Sequence, residues 1–197
     1  VIAVLLVLRL RSVLGQRTGY EEPQDNQVKD GFADTSKAQT SVLTVADKAT
    51  KISGSGLETL RRADRQFNEN EFIQGATAAF NMVLKAFAEG DQALLKRLLS
   101  YELLQSFMQT IHDRTVAKET LEITVNEIRE VSILNVETAE SVASITVHFH
   151  TTQTRIARDE DGNVMDDSDT EPREFVDIWT FERDLTLADP NWKLAET

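Results

Sequence analysis

An apolar stripe between residues 72 and 100 places the strongest limit on what this chain can fold into. Apolar side chains recur there at helical spacing, at Phe72, Ala76, Phe80, Val83 and Phe87. Gly90 then predicts a left-handed helix end, and Asp91 can cap a second helix that is rich in leucine. This helix hairpin needs an apolar cover, and the largest apolar surface left in the chain is the half that follows. We therefore expect helices packed on a sheet.

The spacing of the apolar residues changes from helical to alternating after Lys118. A third amphipathic helix, capped by Ser100, precedes the change, and a shift of phase within the first alternating run predicts a bulge near Asn126. We predict four strands, over residues 121–133, 143–149 and 175–185 and from Trp192 onward. The fold class is therefore α+β, with N-terminal helices packed on a curved antiparallel sheet of about four strands.

The charge of the chain excludes one class of partner. The chain has 33 acidic and 21 basic residues, a net charge of −12, and residues 69–197 alone carry 25 acidic and 11 basic residues. Binding to a nucleic-acid backbone depends on Lys and Arg, so we expect no nucleic-acid partner. A basic protein surface complements this charge better. The chain has no Cys, which excludes disulfides, thiolate catalysis and Cys-ligated zinc.

The first 18 residues have the pattern of the end of a membrane anchor. Residues 1–8 are apolar without a break, and the cations Arg9, Arg11 and Arg17 follow them. This order is typical of a stop-transfer segment whose basic flank stays in the cytoplasm. The alternatives are a short buried helix at the edge of the domain and a signal that is removed. Residues 19–53 are polar and lack periodicity, so we predict a disordered linker.

The pattern of apolar residues over 54–68 predicts a short amphipathic helix. The main domain follows it and spans residues 69–197. Leu57, Leu60 and Phe67 give the helix an apolar side, and three cations stand beside that side: Arg61, Arg62 and Arg65. An apolar and cationic surface of this kind can lie on anionic lipid. The same pattern fits a helix that packs on the domain with its Arg side chains in solvent.

Several stretches of the sequence together resemble the bacterial Tim44-like family. They are Phe72–Ala76, Ala86–Asp91, Leu95–Ser100, Asp177–Leu185, Asp189–Leu194 and the basic head Leu8–Gly19. One departure is visible: Asp64-Arg65-Gln66-Phe67 stands where the family often has Asp-Pro-x-Phe. The resemblance covers both ends of the chain and its core, and it leaves out the linker.

The resemblance implies a cone-like domain, similar to nuclear transport factor two, with an apolar pocket between the helices and the curved sheet. The first long helix offers small residues to such a pocket, and the last strands offer aromatic ones. The expected lining residues are Ala76, Ala79, Phe80, Val83, Phe175, Trp179, Phe181 and Trp192. The resemblance further implies a membrane-associated adaptor whose pocket takes lipid or peptide.

Three groups of polar residues could carry other chemistry. His148 and His150 share one face of a strand, which could hold a metal, but no third ligand is recognisable. Asp159-Glu160-Asp161-Gly162-Asn163 resembles the opening of a calcium loop but has Gly at the wrong position, which favours an acidic turn. Asp177 would act as an acid or base if it lined the pocket, and would pair with an Arg otherwise. We expect no catalytic residue, metal or cofactor.

The predicted function is therefore that of a non-enzymatic adaptor, anchored at the bacterial inner membrane by one N-terminal segment and facing the cytoplasm. The expected partners are membrane lipid, at Arg9, Arg11, Arg17, Arg61, Arg62 and Arg65, and a protein whose identity the sequence leaves open. A role in protein translocation or membrane-protein assembly follows from the resemblance. The alternatives are a small-molecule enzyme on the same pocketed fold and a soluble carrier of an apolar ligand. The sequence leaves the oligomeric state open.

Overall fold

The computed structural model of the protein describes residues 55–197. The predicted anchor (1–18) and linker (19–53) lie outside the described residues. Within residues 55–197, four helices come first: α1 over residues 55–63, α2 (Glu69–Glu89), α3 (Gln92–Leu98) and α4 (Tyr101–Val116). Four strands follow: β1 (Thr120–Ala139), β2 (Val142–Arg158), β3 (Asp169–Asp184) and β4 (Lys193–Glu196). None of these helices is long and apolar enough to cross a membrane.

The four strands form one antiparallel sheet in the order β1-β2-β3-β4. This order, after the helices, confirms the predicted α+β class with helices packed on a curved antiparallel sheet. Strand β1 has three register shifts against β2, and the first lies between Val125 and Glu127, where the sequence predicts a bulge at Asn126. Strands β2 and β3 stay in register from Val142 to Gln153.

The helix ends form where the sequence provides caps. The Asn68 side chain accepts the backbone N–H groups of the first turn of α2, and Asp91 and Ser100 each accept the N–H three residues further on. Gly90 ends α2 in the left-handed conformation, with φ of 72°. Two residues separate α2 from α3, and two separate α3 from α4. Because the caps allow a sharp turn in each gap, the three helices stay next to one another.

The core lies between α2 and the inner face of the sheet. The ring of Phe80 stacks on Phe149 of β2, with centroids 4.4 Å apart, and its centroid is 4.6 Å from that of Trp179 on β3. The inner face of β2 supplies every second residue from Ala143 to Phe149, all of them fully buried. The apolar stripe of α2 thus finds the cover that its sequence requires.

Helix α1 packs onto the same core rather than standing apart from it. Leu60 is 0% exposed. A Cβ atom on Gly56 would lie 1.9 Å from the carbonyl oxygen of Val136, so only glycine fits this close approach. Asp64, just past α1, forms an ion pair of 2.8 Å with Arg183 of β3. The folded unit therefore includes residues 55–68 together with residues 69–197.

The three cations of the α1 region face solvent. Arg61 pairs with Glu69 at 3.0 Å, Arg62 lies 3.6 Å from Glu58, and Arg65 is exposed. This is the arrangement of a helix packed on the domain, and it leaves the same three cations accessible to a charged surface.

We predict that a fragment starting at residue 54 unfolds cooperatively and that a fragment starting at Glu69 is much less stable. The shorter fragment loses the buried Leu60 and leaves Arg183 without its counter-charge, which together should cost roughly 3 kcal/mol or more. Urea denaturation followed by circular dichroism measures the difference. In the longer fragment, Leu60→Ala should cost about 2–5 kcal/mol, whereas Arg62→Ala should change stability by less than about 0.5 kcal/mol. Equal stability of the two fragments would contradict the role of α1 in the core.

Candidate functional site

A groove opens where the first half of α2 meets the β3–β4 hairpin. Its volume is about 450 Å³. The lining residues come from the α1–α2 turn, α2, α3, β3 and the β3–β4 turn: Asp64, Gln66, Phe67, Asn68, Glu71, Phe72, Gly75, Ala76, Ala79, Met82, Leu98, Phe181, Arg183, Pro190, Asn191 and Trp192. The size falls within the range of small-molecule and cofactor pockets in proteins.

One wall of the groove is a cluster of aromatic rings. Phe72 lies at its centre, with its ring centroid 5.1 Å from Trp192, 5.9 Å from Phe181 and 6.0 Å from Phe67. The rings of Phe72 and Trp192 meet at 71°, an edge-to-face arrangement that aromatic pairs favour. The four rings come from four separate elements or turns, so they hold the helical layer and the hairpin together at the groove.

The floor of the groove is the exposed face of α2, where the side chains are small. Gly75 and Ala79 are one helical turn apart, with Ala76 beside them. A Cβ atom on Gly75 would have no other atom within 4 Å, so the space above this position is open. The groove exists because no bulky side chain of α2 fills the gap below the rings.

The rim of the groove carries charge that is largely paired. Arg183 and Asp64 bond at 2.8 Å, with side chains only 17% and 13% exposed. Position 183 faces the inside of the sheet next to Phe181, so its cation needs a counter-charge within the fold. Asn68 is engaged in capping α2, and the side chain of Asn191 bonds to Asp189.

Glu71 also lines the groove; it is exposed and has no ion-pair partner within residues 55–197. Phe72 and Phe181 are only 6% and 2% exposed and mainly support the wall from behind. A ligand would therefore contact the partly exposed rings of Phe67 and Trp192, the small residues of α2 and this carboxylate.

The residues predicted to line a pocket divide into three groups. Ala76, Ala79, Phe181 and Trp192 line the groove. Phe80, Val83 and Trp179 lie in the core, at most 1% exposed. Phe175 lies near the other end of β3, where its ring covers the guanidinium of Arg155 with 3.8 Å between the Arg155 Cζ atom and the ring centroid. The groove is thus displaced from the middle of the helix–sheet interface towards the β3–β4 turn.

The sequence patterns do not indicate Phe67, Phe72, Asp64 or Arg183 as residues of the site. They place Phe72 in the apolar stripe of the first long helix and Phe67 on the apolar side of the short helix. Arg183 carried a usable signal, because alternation along β3 places it on the same face as the aromatic residues. A charged residue at an inward position predicts a buried partner. The identity of that partner, Asp64, depends on a contact across 119 residues that no local pattern shows.

A second polar cluster is buried at the opposite end of the sheet, around Asp177. Asp177 is 4% exposed and lies 3.9 Å from Arg155. The amide of Gln153 stands between them: its Nε2 donates to Thr151 and Asp177, and its Oε1 accepts from both Nε and Nη2 of Arg155. Asp177 does not line the groove. The sequence allows Asp177 to be either an acid or base in the pocket or the partner of an Arg, and the structure shows the second arrangement.

Burial raises the pKa of Asp177, and the charge of Arg155 and the hydrogen bond from Gln153 offset only part of that increase. Burial also lowers the pKa of Arg155. Burying this cluster with both Asp177 and Arg155 charged therefore costs free energy. Its members contact one another and make no contact with the groove, which is the arrangement of a structural network.

The two histidines and the acidic turn are placed on the surface. His148 and His150 face the outer side of the sheet, and His150 Nε2 lies 3.5 Å from Glu174. The Asp159 carboxylate accepts hydrogen bonds from the side-chain amide of Asn163 and from the backbone N–H groups of Asn163 and Asp161. These bonds close the turn and lower the pKa of Asp159. In residues 55–197, no group of three or more His, Asp or Glu side chains is arranged to hold a metal ion.

We predict that Asp177 and Asp184 affect the pH dependence of stability with opposite signs. Because the folded carboxyl of Asp177 keeps its proton to a higher pH than the unfolded one, its stabilising contribution is lost as the pH rises through its folded pKa. The free energy of unfolding of the parent minus that of Asp177→Asn should therefore fall as the pH rises from about 4. Urea titrations from about pH 2 to about pH 8 measure this difference, and the range extends below the ordinary pKa of Asp, as the comparison with Asp184 requires.

The matched comparison is Asp184→Asn. Hydrogen bonds from the Thr186 side chain and backbone lower the pKa of Asp184, so the parent should lose stability relative to this variant as the pH falls through the folded pKa. A difference that rises with pH for Asp177→Asn as well would contradict the raised pKa of the buried carboxyl.

The chain is similar to one protein family and to two solved structures. A family model described as "Tim44-like domain" matches residues 53–197. Among curated proteins, none matches the sequence. The chain is similar to the solved structure of the intermembrane space region of chloroplast protein ARC6, at 16% identity and a TM-score of 0.39, over 62% of this chain and 92% of that one. It is also similar to a putative dehydratase of the NTF2-like family from Streptomyces avermitilis, at 12% identity and a TM-score of 0.36, over 66% and 99% of the two chains.

Proposed function

Because this chain belongs to the Tim44-like domain family, we propose that it is a non-enzymatic adaptor at a membrane whose groove holds an apolar guest. Membership of the family favours a role in protein translocation or membrane association. The groove between α2 and the β3–β4 hairpin is the observation that carries the proposal. It combines the partly exposed rings of Phe67 and Trp192, which pack on the buried Phe72, with an open floor at Gly75. Apolar area and shape dominate binding in sites of this kind.

The lining of the groove favours binding over acid–base chemistry. Its one cation, Arg183, is bonded to Asp64, and both side chains are mostly buried. The buried carboxyl with a raised pKa, Asp177, lies in a separate cluster with its own partners. An enzyme on this fold would need a titratable pair that faces the guest. Glu71 is an exposed carboxylate of the lining, and no second titratable group is paired with it within residues 55–197. A second acid or base facing Glu71 would favour the alternative function, that of a small-molecule enzyme.

Blocking the floor of the groove tests the binding function. Gly75→Trp places an indole in open space, so the domain should stay folded while the Kd for the neutral apolar dye Nile red rises at least about tenfold, which corresponds to a loss of 1.4 kcal/mol. Ala78→Trp is the matched control, because Ala78 is exposed on the same helix and does not line the groove. Fluorescence titration measures dye binding. Equal binding by the two variants would contradict the groove as the site.

Membrane attachment is proposed to involve two parts of the chain. The apolar run 1–8, with its basic flank at Arg9, Arg11 and Arg17, would form the end of the segment that anchors the protein in the bacterial inner membrane. The exposed cations Arg61, Arg62 and Arg65 would then rest near anionic headgroups. The folded domain would face the cytoplasm, on the side of the basic flank.

We predict that the full chain stays in the membrane fraction after an alkaline wash, whereas the fragment that starts at residue 54 is released. A reporter fused after Thr197 should be active on the cytoplasmic side, because the Arg cluster keeps its flank there. Cell fractionation and paired cytoplasmic and periplasmic reporters measure the two outcomes. Release of the full chain by the alkaline wash would favour a soluble carrier, and activity of the periplasmic reporter alone would reverse the topology.

A further inference from the structure

The exposed face of α2 runs along the groove and changes its chemistry from one end to the other. Glu71, Gly75, Ala79 and Met82 all line the groove, and their spacing places them on one side of the helix. With the rise of an α-helix, the distance along the axis from Glu71 to Met82 is roughly 16 Å. The floor of the groove therefore has a charged end at Glu71 and an apolar end at Met82.

The charged end of the groove holds a carboxylate that the fold leaves uncompensated. Glu71 is exposed, and the described part of the chain gives its carboxylate no ion-pair partner. Glu69, by contrast, is paired with Arg61 at 3.0 Å. Among the lining residues, Asp64 and Arg183 neutralise each other at 2.8 Å. The net negative charge of the groove therefore comes from Glu71.

Two partly exposed aromatic rings stand at the same end of the groove. Phe67 and Trp192 both pack on Phe72, the residue next to Glu71, with ring centroids 6.0 and 5.1 Å from the centroid of Phe72. The faces of aromatic rings attract cations, and the face of Trp does so most strongly. A carboxylate beside two such rings is the set of groups that recognises an ammonium ion.

The same end of α2 gives an anion little to bind. A helix N-terminus can hold an anion through its free backbone N–H groups. Here the side chain of Asn68 accepts the N–H groups of Asn70 and Glu71, so these donors are already used. The guanidinium of Arg183 is bonded to Asp64. An anionic head group would meet the Glu71 carboxylate and no unpaired cation among the described lining residues.

The other end of the groove is apolar and adaptable. Met82 is 39% exposed, and Leu98 of α3 borders the groove. An unbranched thioether side chain adjusts readily to the shape of an apolar neighbour. The volume of about 450 Å³ suits a small molecule. A helix of a partner protein is about 10–12 Å wide with its side chains and would leave most of its surface outside the groove.

We propose that the guest of the groove is a cationic amphiphile with a single alkyl chain. Its amine or quaternary ammonium head lies between the carboxylate of Glu71 and the rings of Phe67 and Trp192. Its alkyl chain follows the floor past Gly75 towards Met82. This guest class rests on the proposed apolar-binding function of the groove and adds a charge and a direction to it.

Competition against Nile red tests the head group, with the full 197-residue chain in phosphatidylcholine nanodiscs. The competitors share an octyl chain and differ in the charge of the head: octyltrimethylammonium, neutral octanol and octyl sulfate. Each is used below the concentration at which it forms micelles, and the signal of empty nanodiscs is subtracted. The readout is the ratio of the inhibition constants of octyl sulfate and octyltrimethylammonium, compared between variants so that uptake by the lipid cancels.

The ratio should be at least about ten in the parent, because an ion pair in a partly enclosed groove is stronger than one in water. Octanol should lie between the two charged competitors. Glu71→Gln should remove most of the preference for the cation, and Glu71→Lys should reverse it. Glu102→Gln is the matched control, since it removes the same charge from the first turn of α4, outside the groove lining. It should keep the ratio of the parent.

Three results would overturn the proposal. Equal inhibition constants, or a preference for the cation that survives in Glu71→Gln, would exclude the cationic guest, while dye binding by the parent would still support an apolar site. Failure of the parent to bind Nile red would contradict the proposed function of the groove, and this guest with it. Displacement of the dye by an amphipathic, Lys-bearing helical peptide but not by octyltrimethylammonium would assign the groove to a protein partner.

Discussion

The contact of Phe80 with Phe149, on which it stacks, and with the tilted ring of Trp179 is the one on which the rest of the structure depends. It joins the middle of α2 to the two central strands, with ring centroids 4.4 and 4.6 Å apart. Helix α2 has 21 residues, so it extends beyond this contact in both directions. Towards its C-terminus, large side chains such as Phe87 continue the contact. Towards its N-terminus the side chains become small, and the same helix that is fully packed at Phe80 leaves a groove at Gly75.

Arginines that are buried or mostly buried complete the fold at three places where apolar side chains could not. Arg114 of α4 donates from Nη2 to the carbonyl oxygens of Phe87 and Ala88, at 2.6 and 3.0 Å, and so satisfies the end of α2. Arg183 ties β3 to the residue that follows α1, and Arg155 balances part of the charge of Asp177. Each guanidinium connects elements that are far apart in sequence. Removing one partner of such a contact leaves a charge or a carbonyl buried without compensation, which costs more than the contact itself contributes.

The sequence predicts the elements of this fold better than it predicts the site. Helix caps at Asp91 and Ser100, the left-handed Gly90 and the bulge at Asn126 follow from local chemistry, and the structure has each of them. The position of the groove does not follow from local chemistry. Phe80 and Phe72 occupy equivalent positions in the helical stripe, yet one is enclosed by two strands and the other borders open space. The difference depends on how far the short strand β4 and the β3–β4 turn reach over α2, which periodicity cannot show.

The β3–β4 hairpin determines where the groove lies. Strand β4 pairs with β3 at Thr180, Phe181 and Glu182, and the turn that precedes it brings Trp192 over the first half of α2. The indole meets the ring of Phe72 edge to face there, with centroids 5.1 Å apart. The wall of the groove is therefore built by a contact between the last hairpin and the first long helix, and the small side chains of α2 leave the space beside that contact open.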